Sequence, residues 1–163
     1  MTALILALML GRFPYPPTPI GVGPKFHPRP ATHPGRLACT SGGKRDGVHL
    51  ELFARNRVVI VPAGIGLKGS CSYPLRTRWP IGVIEVQGRY TLGRFFRLWG
   101  QPVSPTRLVG FRTTRDRPVR AYVAGKRWRG PLGAIPLRRH AQIVLELGKY
   151  IPPHKRFLFP RGL

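Results

Sequence analysis

The clearest pattern in the sequence is an alternation of side chains that begins at residue 48. Over residues 48–54, aliphatic side chains occupy every second position and His, Glu and Phe lie between them. This alternation predicts a strand with one apolar face. Arg55-Asn56 predicts a two-residue turn, because asparagine tolerates a positive φ. Residues 57–61 are then the returning strand of a hairpin.

The hydrophobic period changes after the next strand, which we predict over residues 81–87. Four large apolar residues then recur at i, i+3, i+4 and i+7, the stripe of a short helix: Leu92, Phe95, Phe96 and Trp99. Thr91 is the expected N-cap of this helix, and Gly100 is its expected end. Further strands are predicted over 119–123, 126–128 and 142–147, with a turn at Ala124-Gly125.

The order of these elements predicts the α+β class. A hairpin, a strand, one helix and further strands suit a β-grasp-like mixed sheet with one short helix packed across it. The alternative is a β-sandwich that carries the helix incidentally. We expect a single α+β domain over residues 36–163, after a proline-rich linker over 13–35 that suits neither a helix nor a central strand.

The apolar segment 1–12 indicates export. Its apolar run is too short to span a bilayer but resembles the core of a secretory signal. No Lys or Arg precedes that run, and no clear small-x-small cleavage site follows it. We expect an exported or membrane-anchored, extracytoplasmic protein; the alternative is a cytoplasmic protein with a mobile hydrophobic N-terminus. After export, Cys39 and Cys71 are expected to form one disulfide, the alternative being two unrelated thiols.

The net charge of the sequence indicates which kind of partner the protein binds. The 163 residues include 28 Lys and Arg against 5 Asp and Glu, for a net charge of +23. Such a chain attracts polyanions non-specifically. The expected contacts lie in the densest basic stretch, opposed only by Asp116: Arg112, Arg115, Arg117, Arg120, Arg127 and Arg129. An anionic envelope surface or polymer is the expected partner. The alternative is nucleic acid inside the cell, with Trp79 or Trp128 stacking on bases.

Catalytic signatures are weak. Residues 64–69 match Gly-x-Gly-x-x-Gly, but a dinucleotide site needs a helix directly afterwards, and Pro74 stops one. The serines lie in no nucleophile motif, the five carboxylates have no paired spacing, and the five histidines are dispersed. We therefore expect no catalytic site, no bound metal and no cofactor.

Several segments together resemble an uncharacterised bacterial family of small exported or membrane-anchored domains, over roughly residues 47–163. They are Val61-Pro62-Ala63-Gly64-Ile65-Gly66, Gly82-Val83-Ile84-Glu85-Val86, Thr91-Leu92-Gly93-Arg94-Phe95-Phe96-Arg97-Leu98-Trp99-Gly100, Tyr122-Val123-Ala124-Gly125-Lys126 and Phe159-Pro160-Arg161-Gly162-Leu163. Members of this family often carry a His-x-His at the first strand, a Leu-His-Thr-His-Asp segment and a further His, which implies metal binding in those members.

This chain departs from that pattern. It has Arg76 and Arg78 in the histidine-rich segment and Glu85 in the next strand, and only His49 remains of the first pair. Arginine does not ligate cations. These four residues are expected to form an ion-pair cluster, or alternatively an anion pocket.

The sequence thus predicts a non-enzymatic exported domain with a binding or structural role at the cell envelope. The alternatives are a basic nucleic-acid-binding protein and a degenerate copy of a metal-binding domain.

Overall fold

A computed structural model describes residues 23–163 of the chain. It contains thirteen strands, one α-helix and a 3-10 turn over Leu132–Ala134. In chain order the elements are β1 (Lys25–Phe26), β2 (Asp46–Ala54), β3 (Arg57–Val59), β4 (Leu67–Lys68), β5 (Cys71–Ser72), β6 (Leu75–Arg76), β7 (Val83–Val86), α1 (Leu92–Trp99), β8 (Val103–Ser104), β9 (Arg107–Leu108), β10 (Phe111–Arg112), β11 (Arg120–Val123), β12 (Lys126–Trp128) and β13 (Gln142–Leu147).

The main sheet has the order β1-β3-β2-β13-β11-β12, and β7 joins it beside β2 with β6 on its far side. The long strand β2 pairs with β7 through its first half and with β3 through its last three residues. β13 runs parallel to β2 and antiparallel to β11, so the sheet is mixed. Two smaller sheets, β10-β9-β8 and β4-β5, complete the strands. The predicted α+β class is confirmed.

The helix α1 covers one face of the main sheet. Its apolar stripe is buried together with the aliphatic side chains of β2 and β13 in the main core. Gly100 ends the helix in the left-handed conformation, with φ of 70°, as predicted. Thr91 occupies the N-cap position, but its side chain makes no capping hydrogen bond. Instead, the Leu92 N–H donates to the carbonyl of Ile135 at 2.8 Å, so a distant segment satisfies the first turn.

Both predicted two-residue turns are present. Arg55 and Asn56 have φ values of 48° and 61°, and Ala124 and Gly125 have φ values of 50° and 77°. Paired positive φ values are typical of type I′ turns, whose twist matches that of the flanking strands. The return strand β3 ends at Val59, two residues earlier than predicted. The N–H groups of Val58 and Ile60 donate to the carbonyls of Pro24 and Phe26, which ties this edge of the hairpin to β1.

Part of the predicted linker packs against the domain. Phe26 lies in β1 beside β3, and its ring meets that of Phe111 edge-on at 5.0 Å. The Trp99 indole donates to the carbonyl of Arg29, and the His33 N–H donates to that of Leu98. Contact with the sheet therefore begins before the boundary predicted at residue 36. The predicted signal-like segment 1–12 and linker residues 13–22 lie outside the described part of the chain.

Candidate functional site

The face of the main sheet opposite α1 carries buried polar side chains, and we call it the polar face. Alternation along β2 places His49 and Glu51 on this side, and the strand register puts Glu85 of β7 and two residues of β13 beside them. A sheet face covered by protein is normally apolar, because a buried polar group is costly unless it is paired. The buried polar side chains of the polar face are His49, Glu51, Glu85, Gln142 and Glu146, and a small apolar cluster that includes Phe53 and Val144 lies on the same face.

At one end of the polar face, the structure brings together three of the four residues predicted to cluster. The Glu85 side chain is 1% exposed, and Arg76 Nε donates to its Oε2 at 2.8 Å. Arg78 Nε donates to Oε1 of the same carboxylate. The strand register explains the contact between Arg76 and Glu85, because Arg76 of β6 lies directly opposite Glu85 of β7. His49 lies on the same face but has other hydrogen-bond partners, so the ion pairs form without it.

Sequence reasoning missed Arg45, a third guanidinium in this cluster. Arg45 is buried, donates to the carbonyl of Tyr73 at 2.9 Å, and shares the Ser72 hydroxyl with Arg76. Burial lowers the pKa of Arg45, repulsion from Arg76 adds to this effect, and the Glu85 carboxylate opposes it. Arg45 stands in a highly polar run of the sequence that gives no signal of burial. The cluster therefore holds three guanidiniums and one carboxylate, and two of the guanidiniums, those of Arg76 and Arg78, contact that carboxylate directly.

His49 occupies the middle of the polar face as a neutral imidazole. Its Nε2 lies 2.9 Å from the Ile81 carbonyl, and its Nδ1 lies 2.7 Å from the Gln142 side-chain amide. Burial is the main cause that lowers its pKa to about 4. A neutral ring has one N–H, and the carbonyl only accepts, so Nε2 carries the proton. Nδ1 then needs a donor, whereas the atom beside it is the oxygen Oε1 of Gln142. Turning this amide by 180° brings its nitrogen, which otherwise has no partner, to Nδ1 as the donor.

A segment without helix or strand covers the polar face. We call residues 149–163 the strap. The Phe157 ring stacks on His49 with a centroid distance of 3.6 Å, and Phe159 stacks on His140 at 4.8 Å. His154 Nδ1 lies 2.8 Å from Glu51 Oε1. Burial raises the pKa of Glu51, and the hydrogen bond from His154 opposes that effect.

Glu146 completes the polar face at its other end. Arg120 donates to its carboxylate at 3.2 Å and also to the carbonyl of Gly148 at 2.6 Å. Burial raises the pKa of Glu146, and the positive charge of Arg120 opposes it. Arg120 was a predicted polyanion contact, but its guanidinium is already engaged inside the molecule.

These pairings use three of the five acidic residues in the sequence. Glu51, Glu85 and Glu146 are all paired beneath the surface. The remaining two are more exposed and only loosely paired: Asp46 lies 3.7 Å from Arg139, and Asp116 lies 3.8 Å from Arg117. The outer surface therefore carries very little negative charge to offset its arginines.

A basic groove of about 690 Å³ gathers four of the six predicted polyanion contacts. Arg112, Arg117, Arg120 and Arg127 line it, whereas Arg115 and Arg129 do not. The fold adds Arg55 from the β2–β3 turn and Lys149 from the start of the strap. Neither addition was expected, because sequence gives no sign that these positions approach residue 112.

A second groove, of about 520 Å³, lies beside the first. It is lined by Trp128 and Arg129 together with prolines and small residues. Pro118 and Arg127 line both grooves. The indole N–H of Trp128 donates to the carbonyl of Pro131 at 3.1 Å.

The glycine-rich loop and the cysteines have structural roles. Gly66 has a φ of +71°, and a Cβ there would overlap the Leu75 carbonyl. Its N–H donates to the Thr32 hydroxyl, and the chain continues into β4 rather than into a helix. The predicted disulfide between Cys39 and Cys71 is confirmed, with Cα atoms 5.7 Å apart.

Among residues 23–163, no group of three His, Cys, Asp or Glu side chains is arranged to hold a metal ion. Within the same range, no helix is long and apolar enough to cross a membrane. The chain matches no protein-family model, and no significant match was found among curated proteins or solved structures.

Proposed function

We propose that this chain is a non-enzymatic, exported binding module that attaches to anionic polymers at the cell envelope through its basic groove. The observation that carries the proposal is the pairing of Glu51, Glu85 and Glu146 inside the fold. Because those three carboxylates are paired inside the fold, Asp116 is the one acidic residue among the described residues that line the basic groove.

The residue types in the groove suit anions that recur along a polymer. Arginine forms bidentate hydrogen bonds with carboxylate and phosphate groups, so the geometry of the contact contributes to recognition together with the charge. Arg55 Nη2 donates to the carbonyl of Arg112 at 3.0 Å, which holds its side chain along the groove wall. A concave surface of one charge sign also concentrates counter-ions and speeds association.

Export is supported by the disulfide and by the sequence. A bond between Cys39 and Cys71 persists in oxidising compartments and is rare in the cytosol. The signal-like segment 1–12 and the resemblance to a family of exported domains agree with that compartment. Envelope polymers that carry phosphate or carboxylate groups are the polyanions available there.

The test measures the binding of inorganic polyphosphate by the oxidised protein over a series of salt concentrations. The double variant R112A/R117A should lower the affinity about tenfold or more at 150 mM salt. The matched control R89A/R97A removes the same charge from exposed positions outside the groove, and it should change the affinity less than threefold. Equal losses from both pairs would contradict the groove as the binding site.

Nucleic-acid binding remains the second proposal because Trp128 lies between Arg127 and Arg129 in the second groove. An indole flanked by guanidiniums is a platform on which a base can stack. Trp79 suits this role less well, since the Arg78 guanidinium already lies 4.6 Å from its ring centroid. Intact-mass measurement of natively produced protein distinguishes the two proposals. A shortened N-terminus and a two-hydrogen gain on reduction favour export, whereas a full-length chain with free thiols favours nucleic acid.

A further inference from the structure

The basic groove and the second groove form one continuous surface, because Pro118 and Arg127 line both of them. The two halves differ in chemistry. The first half carries Arg55, Arg112, Arg117 and Lys149, and the second carries an indole and several prolines. A ligand that fills both must offer anionic groups and apolar ring faces together.

We propose that this composite groove binds an acidic polysaccharide, with a sugar ring stacked on Trp128 and its carboxylates on the guanidiniums of the basic half. The inference rests on the proposed function and names the polymer class that the site is built to hold.

The ring half is held in place before any ligand arrives. The hydrogen bond from the Trp128 indole to the Pro131 carbonyl fixes the orientation of the ring. Gly130 lies close beneath it, since a Cβ at that position would come within 3.1 Å of the ring. Pro105 and Pro131 form adjoining walls, and proline has almost no side-chain entropy to lose. A fixed aromatic surface binds at low entropic cost.

The basic half supplies donors that match carboxylates and hydroxyls. The Arg127 guanidinium lies over the Tyr122 ring, 5.4 Å from its centroid, at the junction of the two halves. Thr113 and Thr114 line the basic half, and Ser104 lines the ring half. The Thr113 hydroxyl already donates to the Arg117 carbonyl, so its oxygen is left to accept from a sugar hydroxyl. Ser104 Oγ accepts from the Thr106 N–H and keeps its proton to donate.

Other polyanions fit this groove less completely. Polyphosphate has no apolar face to place on Trp128. Single-stranded nucleic acid is usually held by several aromatic side chains on which successive bases stack. In the described chain, Trp128 is the one aromatic residue that lines either groove, and the nearby Tyr122 ring is covered by Arg127. The disulfide also favours a polymer found outside the cytosol.

The experiment compares three probes at 150 mM salt: polygalacturonate oligomers, inorganic polyphosphate and oligo(dT). The variant W128L should weaken polygalacturonate binding about tenfold, a loss typical of one aromatic contact. It should leave polyphosphate binding within twofold of the parent. The variant W128F keeps an aromatic ring and should retain most of the affinity, and the matched control W79L should change neither. Thermal unfolding midpoints establish that each variant is folded.

The outcomes separate this inference from the proposed function. If W128L and W128F both leave polygalacturonate binding unchanged while polyphosphate still binds, the composite site is overturned and the basic groove stands. If the parent binds neither polymer, the proposed function itself fails. If oligo(dT) binds most tightly and W128L abolishes that binding, the groove serves single-stranded nucleic acid and the inference is wrong.

Discussion

Acidification should destabilise this protein through His49. The imidazole is buried, and its pKa falls from the ordinary value of 6.5 to about 4 in the fold. Between these two pH values the imidazole is protonated in the unfolded chain and neutral in the folded chain. Stability is therefore lost as the pH falls from 6.5 towards 4. Each tenfold change in proton affinity is worth about 1.4 kcal/mol, which makes the loss about 3 kcal/mol.

The measurement is urea unfolding at pH values from 7 to 4, on the parent and on two variants. His49→Gln removes the titrating ring. Between pH 7 and pH 4, the free energy of unfolding of this variant should therefore fall by about 3 kcal/mol less than that of the parent. His27 is exposed, and His27→Gln should reproduce the slope of the parent. Burial raises the pKa values of Glu51 and Glu146, so these carboxyl groups add stability as the pH falls and oppose the effect of His49. Both carboxyl groups are present in all three proteins.

Parallel stability curves for the parent and His49→Gln would refute this account of His49. Imidazole nitrogen chemical shifts provide a direct check at pH 6. They should show a protonated Nε2 and an unprotonated Nδ1, because Nε2 donates to the Ile81 carbonyl and the turned Gln142 amide donates to Nδ1. A doubly protonated ring would mean that the polar face stabilises the imidazolium.

Three further predictions concern stability. Glu85→Gln leaves the surrounding guanidiniums without a carboxylate and should cost about 3 kcal/mol in urea unfolding, whereas the exposed Asp116→Asn should not move the midpoint. Phe96→Ala should cost roughly 3–5 kcal/mol, because Phe96 is buried in the core stripe of α1; an unchanged midpoint would contradict that packing. Replacing both Cys39 and Cys71 with serine should cost roughly 3–4 kcal/mol, and reductant should then have no additional effect on the variant.

Local patterns in the sequence predicted the elements that have a regular period. The helix stripe, β12 and β13, and both type I′ turns follow from side-chain spacing and from residues that tolerate a positive φ. The small sheets had no such signal, because β4 and β8, like their partners, are only two residues long. A strand of that length has no measurable alternation.

The candidate site was predictable only where its partners are close in sequence. Arg76 and Arg78 lie within ten residues of Glu85, and comparison with the histidine-rich segment of the family that the chain resembles drew attention to these positions. His154 binds Glu51 across 103 residues, and no local pattern indicates such a contact. The grooves were missed for the same reason, since their walls come from separate loops that only the completed sheet brings together.

The position of β13 affects how the chain folds as it is synthesised. This strand lies between β2 and β11, so both remain edge strands until residue 147 has emerged from the ribosome. Pairing over almost a hundred residues is slow, because the intervening chain must lose its freedom before the contacts form. Until β13 is available, the pairs β2–β3, β2–β7 and β11–β12 can form only as separate pieces of the main sheet, each with an unpaired edge.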